Sequence, residues 1–392
     1  MPFPTLLFAI FASMKKVIIA IDSFKGCLTS LEAGEAAAKG IKSIDPLCNT
    51  IVIPIADGGE GLLDVLVTAT QGKYISVSAH GPLMETIETH YGISGDGKTA
   101  IIEMAAVNGL PLVPADRRNP MLTTTFGTGE LIKDALEQGC RDFIIGIGGS
   151  ATNDAGLGML QALGYRFLDR AGHTLGTGGQ MMIEVTDIDS SHIHPALKEA
   201  HFTVACDVHN PFFGAEGAAY IFARQKGADD EMIQKLDAGM QSLAQVIEKI
   251  TGKDISNDPG AGAAGGMGGG LLAFLNAQLK PGTELVLEAT HFREKIKGAS
   301  LIITGEGKAD RQTAMGKVPY GVLKEARKEQ IPVIVLAGSI EDVPTLNKAG
   351  FKGVFSITPH PITLEKAMEP AFARENISSL VSQLYSFVTS FD

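Results

Sequence analysis

The sequence predicts an α/β protein of two domains, one of them built on a mainly parallel sheet. Short β-branched runs alternate with helical stretches along most of the chain, which is typical of α/β folds. Several of these runs are apolar throughout, as in strands that are covered on both faces. A length of 392 residues is also typical of two domains.

The predicted elements follow one another in the order that this fold class requires. The predicted strands are residues 16–21, 50–55, 142–147, 202–206, 284–288, 300–305, 331–338 and 353–357. The predicted helices are residues 29–42, 60–70, 127–138, 154–163, 228–250, 270–278, 317–329 and 371–388. Nearly all of the predicted helices lie between predicted strands, so the strands are expected to run parallel.

Residues 75–125 differ from the rest, because they resemble antiparallel strands and turns. The segment "GISGDGKTA" places Asp-Gly between two extended runs, which indicates a hairpin. We therefore expect a second domain, residues 75–284, inserted into a discontinuous domain of residues 14–74 and 285–392. The first strands should then share a sheet with the strands after residue 300.

Residues 1–13 are apolar but lack a basic start, and their apolar core is too short to span a bilayer. They are interpreted as a dispensable N-terminal extension ahead of Met14, with a signal peptide as the alternative. The four cysteines form no C-x-x-C pair, which favours reduced thiols and a cytoplasmic location.

The charge balance excludes some classes of partner. The net charge of −11 argues against a nucleic-acid or anionic membrane surface. An anionic ligand would therefore need local cations or helix N-termini. No oligomeric state is predicted.

Polar, glycine-rich loops follow five of the predicted strands. They are "DSFKG", "ADGGEG", "GGSATND", "DVHNP" and "GEGKAD". Parallel sheets bind ligands at the carboxyl ends of their strands, so these loops are expected to carry the chemistry.

The segment "GIGGSATNDAG", residues 146–156, has three possible interpretations. Gly146, Gly148 and Ala151 match the weak dinucleotide fingerprint, and Asp169 lies where a ribose-binding acid is expected. The hydroxyls also suit a substrate or phosphate loop at a helix N-terminus. An ordinary glycine turn is the third interpretation.

The segment "PGAGAAGGMGGG", residues 259–270, is either an anion-binding nest of backbone N–H groups or a place where backbones pack closely. No Walker A motif occurs, so nucleotide binding would not use a P-loop.

Seven acids lie in these loops: Asp22, Asp57, Glu60, Asp154, Asp207, Glu306 and Asp310. Any one of them could simply cap a helix, but seven exceed what capping needs. Carboxylates suit magnesium and phosphoryl transfer to a hydroxyl. Of the nearby cations Lys25, Arg224, Lys226, Lys308, Arg311 and Lys317, most are interpreted as solvated surface charges. Lys25 is the exception, because its short loop holds it close to Asp22.

Taken in order, the motifs resemble the bacterial type I glycerate kinases. The resemblance is carried from Met14 to about Ala337 by "AIDSFKG", "PIADGGEG", "GTGELI", "GIGGSATND", "ACDVHNP", "QKGA", "GAAGGMGGGLLAFL", "LKPG" and "ITGEGKADRQTAMGKVPYGV". The chain departs from the family pattern at Cys27, Ala155 and Ala223-Arg224, where Ser, Gly and Gly-Pro are usual.

The resemblance implies phosphorylation of D-glycerate, at the 2-hydroxyl, with ATP and Mg²⁺. It also implies one flavodoxin-like domain and one resembling the restriction-endonuclease fold, with a ligand cleft between them. On this basis the segment at residues 146–156 is a substrate and phosphate loop.

Site roles follow from the chemistry of these ligands. The predicted catalytic residues are Asp207, as the first choice of general base, with Asp57 as the second choice and Lys25 beside them. The predicted substrate-binding residues are Asp22, Lys25, Ser150, Thr152, Asn153 and Asp154. The predicted nucleotide-binding residues are Gly265, Gly266, Gly268, Glu306 and Lys317. The predicted metal ligands are Asp207, Glu306 and Asp310. A 3-kinase, an NAD-dependent dehydrogenase and a sugar-acid sensor without turnover remain as alternatives.

Overall fold

The computed structural model describes residues 16–59 and 61–390. The predicted extension of residues 1–13 and the loop acid Glu60 lie outside the described residues. No helix in these two ranges is both long and apolar enough to cross a membrane.

Strands and helices alternate along most of the chain, as the sequence predicts. The strands are β1 (Lys16–Ile21), β2 (Asn49–Val52), β3 (Lys73–His80), β4 (Thr86–Ile93), β5 (Thr99–Glu103), β6 (Asp142–Gly146), β7 (Arg166–Leu168), β8 (Asp187–Asp189), β9 (His201–Ala205), β10 (Gln278–Lys280), β11 (Leu301–Ala309), β12 (Val333–Ile340) and β13 (Gly353–Ser356). The helices are α1 (Ser30–Ile44), α2 (Leu62–Ala69), α3 (Ala105–Asn108), α4 (Phe126–Glu137), α5 (Leu157–Ala162), α6 (Ala218–Phe222), α7 (Asp230–Thr251), α8 (Ala263–Leu275), α9 (Gly282–Ala289), α10 (Phe292–Lys295), α11 (Val318–Lys328), α12 (Val343–Ala349), α13 (Leu364–Ala367) and α14 (Pro370–Thr389).

The chain forms two compact units, and the expected α/β fold class is confirmed. The first unit takes in the chain up to Asp57 and from Thr283 onward, and the second runs from Gly58 to Gly282. These divisions differ from the expected domain boundaries at 74/75 and 284/285. Helix α2 lies in the second unit because it packs on β4, where a Cβ on Gly92 would stand 2.3 Å from Val67 Cγ2.

The sheet of the first unit is parallel throughout, in the order β13-β12-β11-β1-β2. Numbered within the unit, this is the flavodoxin-like order 2-1-3-4-5. The prediction that the first strands share a sheet with the strands after residue 300 is confirmed. In this order the direction of winding changes between β1 and β11, which is where such sheets bind ligands.

Local sequence explains how the first unit starts. From Val17 to Ile21, β1 is almost fully buried, as an interior strand of a sheet with two covered faces must be. Helix α1 begins with a capping box, in which Thr29 and Glu32 bond each other's backbone N–H groups. Its apolar face packs with Ile377 and Val381 of α14 in a core below the sheet.

The second unit has a six-stranded mixed sheet in the order β10-β9-β6-β5-β4-β3. The predicted hairpin is confirmed, because β4 and β5 are antiparallel and Gly97 of their turn has a φ of 74°. Strands β5, β6, β9 and β10 run parallel, so their carboxyl ends lie along one edge.

Two element predictions are wrong. Residues 284–288 belong to helix α9 rather than to a strand. The run of three apolar residues is too short to distinguish the two, and burial recurs at Thr283, Val286, Leu287 and Thr290, which is helical spacing. Helix α8 begins at Ala263 rather than at residue 270, and it contains a left-handed break from Ala264 to Gly266.

Candidate active site

The carboxyl edge of the parallel sheet in the first unit gathers several predicted site residues. Asp22 follows β1 directly, and its backbone N–H donates to the carbonyl oxygen of Gly305 in β11. Glu306 is the next residue of β11, so both acids lie at the strand pair where the winding reverses. They line a cavity of about 480 Å³ together with Lys25, Asp57 and other residues of this unit.

Burial sets the state of Asp22. Desolvation, with the negative charge of Asp57 next in importance, raises the pKa of Asp22 to about 7. Lys25 opposes this shift, and its Nζ lies 2.9 Å from Asp57 Oδ2. The prediction that the short loop holds Lys25 near Asp22 is therefore confirmed, although the ion pair of Lys25 is with Asp57.

Glu306 and Asp310 are joined by one lysine. Lys317 Nζ lies 3.3 Å from Glu306 Oε2 and 3.4 Å from Asp310 Oδ1. Thr313 donates its hydroxyl to Glu306, and Asp310 caps the short 3₁₀ turn Arg311–Met315. Burial raises the pKa of Glu306 despite these partners. We call Asp22, Asp57, Glu306 and Asp310 the acidic cluster.

No ready-made metal cage is present in the described ranges, since nowhere do three His, Cys, Asp or Glu side chains gather in a geometry that could hold an ion. Of the predicted metal ligands, Glu306 and Asp310 share Lys317 in the first unit, whereas Asp207 lies in the second. Their role as metal ligands stays a prediction.

In the second unit, Asp207 stands exposed two residues beyond the end of β9. Its Oδ1 accepts a hydrogen bond of 3.1 Å from the backbone N–H of Gly282. This contact fixes the carboxylate at the carboxyl edge of the sheet and leaves it accessible to solvent. Its predicted role as a general base is compatible with this position.

The segment after β6 is organised around a buried carboxylate. Asp154 is fully buried and accepts hydrogen bonds from the backbone N–H groups of Thr125, Gly156 and Gly158. The hydroxyls of Thr124 and Thr125 donate to it as well. Desolvation raises its pKa in spite of these donors. This position gives Asp154 a structural function, and direct substrate binding, as predicted, is not supported by its burial.

Lys226 corrects the interpretation of the basic residues as surface charges. Only 2% of Lys226 is exposed, and its Nζ lies 2.8 Å from Ser150 Oγ and 2.6 Å from the carbonyl oxygen of Thr152. Burial lowers its pKa to about 7. The sequence contained only a weak signal for this, namely its place in the motif "QKGA".

Two side-chain atoms of the same segment lack partners. Thr152 Oγ1 and Asn153 Oδ1 are buried without a hydrogen bond, which costs roughly 1–3 kcal/mol for each group. Native proteins keep such groups where a ligand or water completes them. Ser150, Thr152 and Asn153 are thus brought together with Lys226, and their contact with substrate stays a prediction.

The dinucleotide interpretation of residues 146–156 is wrong. A Rossmann unit needs the following strand to pair in parallel with the first, but β7 pairs antiparallel with β8 in a separate two-stranded sheet. Asp169 accepts backbone N–H groups of Ala171 and His173 in its own turn.

Close packing accounts for the predicted phosphate-binding glycines Gly265, Gly266 and Gly268. All three are buried, and a Cβ on Gly265 would stand 2.1 Å from the carbonyl oxygen of Thr152. On Gly268 it would stand 2.2 Å from the carbonyl oxygen of Gly260. Of the two interpretations of this segment, the structure favours backbone packing over an anion nest.

Two departures from the family pattern lie at informative places. Cys27 lines the cavity of the first unit. Ala155 adopts a φ of 54°, the left-handed conformation that glycine adopts without strain.

The fold and the acid-lined cavity define an α/β protein whose flavodoxin-like sheet has a cavity at the edge where such sheets bind small molecules. The profile of the Glycerate kinase family matches residues 17–389, and the chain belongs to that family. It is 48% identical to "Glycerate 2-kinase" of Escherichia coli K12 over 91% of this chain and 94% of the relative.

Other comparisons agree with this assignment. The chain is 49% identical to "Glycerate kinase" of Haemophilus influenzae, covering 87% of this chain and 91% of that protein. A crystal structure assigned to glycerate kinase 2 of Salmonella typhimurium LT2 superposes with a TM-score of 0.88 at 42% identity. That match covers 96% of this chain and 99% of the Salmonella chain.

Proposed function

We propose that this protein transfers the γ-phosphoryl group of ATP to the 2-hydroxyl of D-glycerate, giving 2-phospho-D-glycerate and ADP. Family membership over nearly the whole chain supports the reaction class, and the name of the Escherichia coli relative supports the 2-position. The observation that carries the proposal is the acidic cluster beside Lys25 and Lys317 at the point where the sheet reverses its winding.

The acidic cluster fits Mg²⁺. Asp57 and Glu306 both add to the raised pKa of Asp22, so the cluster carries excess negative charge that a cation would relieve. Magnesium binds through one or two carboxylates, with waters and phosphate oxygens as its other ligands, and needs no complete protein cage. Glu306, with Asp22 beside it, would hold the ion, which supplies neutralisation of the phosphate charge.

Two lysines are assigned to the phosphates. Lys25 forms an ion pair with Asp57 at this edge. Lys317 forms ion pairs with Glu306 and Asp310. Ion pairs of this kind fix the ammonium groups in place before the ligand arrives. Positioning and charge stabilisation are the main contributions that phosphoryl transfer needs from a protein.

The second unit is assigned to glycerate. Ser150 and the unpartnered Thr152 Oγ1 supply polar groups for an anionic substrate, and Lys226 holds this segment in place through Ser150 Oγ and the Thr152 carbonyl oxygen. Asp207, as an accessible carboxylate fixed by the N–H of Gly282, is the proposed acceptor of the hydroxyl proton.

A product assay tests the proposal. The full chain is mixed with ATP, Mg²⁺ and D-glycerate, and the product is coupled to enolase, which accepts the 2-phosphate and not the 3-phosphate. Direct coupling is expected. Coupling only after addition of a phosphoglycerate mutase would indicate a 3-kinase. If no ADP forms, the kinase proposal is overturned, and the alternative of a sensor without turnover predicts this result.

The proposal includes a cytoplasmic location. None of the four cysteines, all of which lie in the described ranges, forms a disulfide, and three of them are buried. Cysteines that stay outside disulfides are typical of a reducing compartment.

A further inference from the structure

Both charged and apolar side chains line the cavity of the first unit. Asp22, Glu306 and Lys317 line it near β1 and β11. Another part of its lining, which we call the apolar end, comes from the end of β13 and from α13 and α14, and it contains Ile357, Leu364, Met368 and Phe372. Strand β13 is separated from β11 by β12 in the sheet, which places this part away from the acids. A cavity of about 480 Å³ is within the range of sites that enclose small organic ligands.

The apolar end has an exposed apolar side chain that a bound ligand would cover. Leu364 is 77% exposed, although it lies beside a cavity lined by other apolar side chains. Lys366 Nζ stands 5.2 Å from the ring centroid of Phe372 and covers one face of that ring. A Cβ on Gly26 would stand 3.2 Å from Met368 Cε, so Met368 packs close to the loop that follows β1.

One neutral amide lines the apolar end. Asn376 lies on α14, and its side chain forms no hydrogen bond with any other residue in the described ranges. An amide presents a donor and an acceptor side by side, as the Asn–adenine pairs of protein–DNA complexes show. Adenine offers the complementary pair, an amino donor beside a ring-nitrogen acceptor.

We propose that the apolar end of this cavity binds the adenine ring of the nucleotide and that Asn376 recognises the edge of that ring. The inference rests on the proposed function, because the acidic cluster would hold the metal-bound phosphates at the other end of the same cavity. A nucleoside triphosphate needs an apolar surface for its base and charged groups for its phosphates in one continuous site. The inference adds the location of the base and the residue that selects it.

The variant Asn376→Asp tests the recognition. A carboxylate only accepts hydrogen bonds, so it loses the bond to the ring nitrogen of adenine but accepts two from the N–H groups of guanine. The ATP-over-GTP preference, measured as the ratio of kcat/KM values, should fall about tenfold or more. Calorimetric binding of ADP and GDP to the full chain should show the same change.

Asn347→Asp is the matched control, because Asn347 is exposed on α12 of the same unit and does not line the cavity. This control should keep the wild-type preference, and the melting temperatures of both variants should match the wild type. If Asn376→Asp does not fold, Asn376→Ser replaces it and should weaken ADP binding while leaving GDP binding unchanged.

The outcomes separate the two proposals. An unchanged ATP-over-GTP ratio in a folded Asn376→Asp enzyme with normal turnover overturns the base-recognition inference alone. If Asn376→Asp changes the preference for ADP over GDP in the binding measurement but the wild-type protein forms no phosphoglycerate, the proposed function is overturned and the inference stands.

Discussion

Lys226 is a buried lysine that both organises a neighbouring segment and has a lowered pKa. Its ammonium group is surrounded by protein and bonded to Ser150 and to the carbonyl oxygen of Thr152. Desolvation is the largest influence on its pKa, and the charge of the buried Asp154 opposes it. The ammonium group therefore holds residues 150–152 in place, and burying its positive charge costs free energy of folding.

This arrangement predicts a dependence of stability on pH. The pKa of Lys226 is about 7 in the fold, whereas an unfolded lysine titrates near 10.4. Between these values the unfolded chain binds more protons, so the free energy of unfolding should rise with pH. The rise from this group should be about 2 kcal/mol between pH 7 and pH 9.

Urea unfolding at both pH values measures this contribution. Lys226→Met should lack the rise, whereas Lys249→Met, which changes an exposed lysine on α7, should retain it. A rise of equal size in Lys226→Met and wild type would show that Lys226 does not titrate in this range.

Asp207 carries a second prediction at this scale. Asp207→Asn keeps an oxygen for the N–H of Gly282 but removes the charge, so kcat should fall at least about a hundredfold. The melting temperature should stay nearly constant. Steady-state kinetics with a thermal melt measure both quantities.

The exposed Asp258→Asn in the same unit serves as the control and should leave kcat unchanged. A turn-forming Asp is mimicked well by Asn. Normal turnover in a folded Asp207→Asn enzyme would therefore remove Asp207 from the mechanism and leave Asp57 or Asp310 as the candidate base.

At the scale of elements, helix α8 is shaped by what it packs against. Its left-handed break from Ala264 to Gly266 lets the backbone approach Thr152 and Asn153 closely. Gly265 must be glycine for two reasons, namely its positive φ and the absence of space for a side chain.

Two substitutions separate these reasons. Gly252→Ala, with a φ of 73° and open space around it, should cost about 1–2 kcal/mol through backbone strain alone. Gly265→Ala, with a φ of 69°, adds a clash with the Thr152 carbonyl and should cost at least about 2 kcal/mol more. Urea unfolding measures both variants. Equal costs, with a selective loss of nucleotide affinity in Gly265→Ala, would instead support the anion nest.

At the scale of the whole molecule, the second unit is an insertion with neighbouring ends. A Cβ on Gly58 would stand 2.7 Å from Gly282 Cα, and all six strands of its main sheet lie between these two residues. The first unit, by contrast, needs both of its chain segments, because β1 lies between β2 and β11.

Fragments of the chain should therefore differ in whether they fold on their own. Residues 58–282 alone should unfold in one cooperative transition, because their sheet and core are complete. Residues 283–392 alone should not, because they lack β1 and β2. Thermal melts followed by circular dichroism measure this. A cooperative melt of the shorter fragment, with none for residues 58–282, would contradict the assignment of two units.

The sequence alone determined the fold class, the shared sheet of distant strands and the loops that carry the acids. These features depend on local apolar runs and on the rule that parallel strands place their carboxyl ends together. The resemblance in ordered motifs identified the family. Those motifs contain Asp22, Glu306 and Lys317, which line the cavity of the first unit.

Only the tertiary structure decided how these residues are used. Lys226 and Ser150 are 76 residues apart, so neither the burial of the lysine nor its lowered pKa is visible in local sequence. The same holds for Gly265, whose partner lies in the segment after β6, and for the apolar wall beside Asn376. Burial and charge depend on every element that packs around a group, and those elements come from distant parts of the chain.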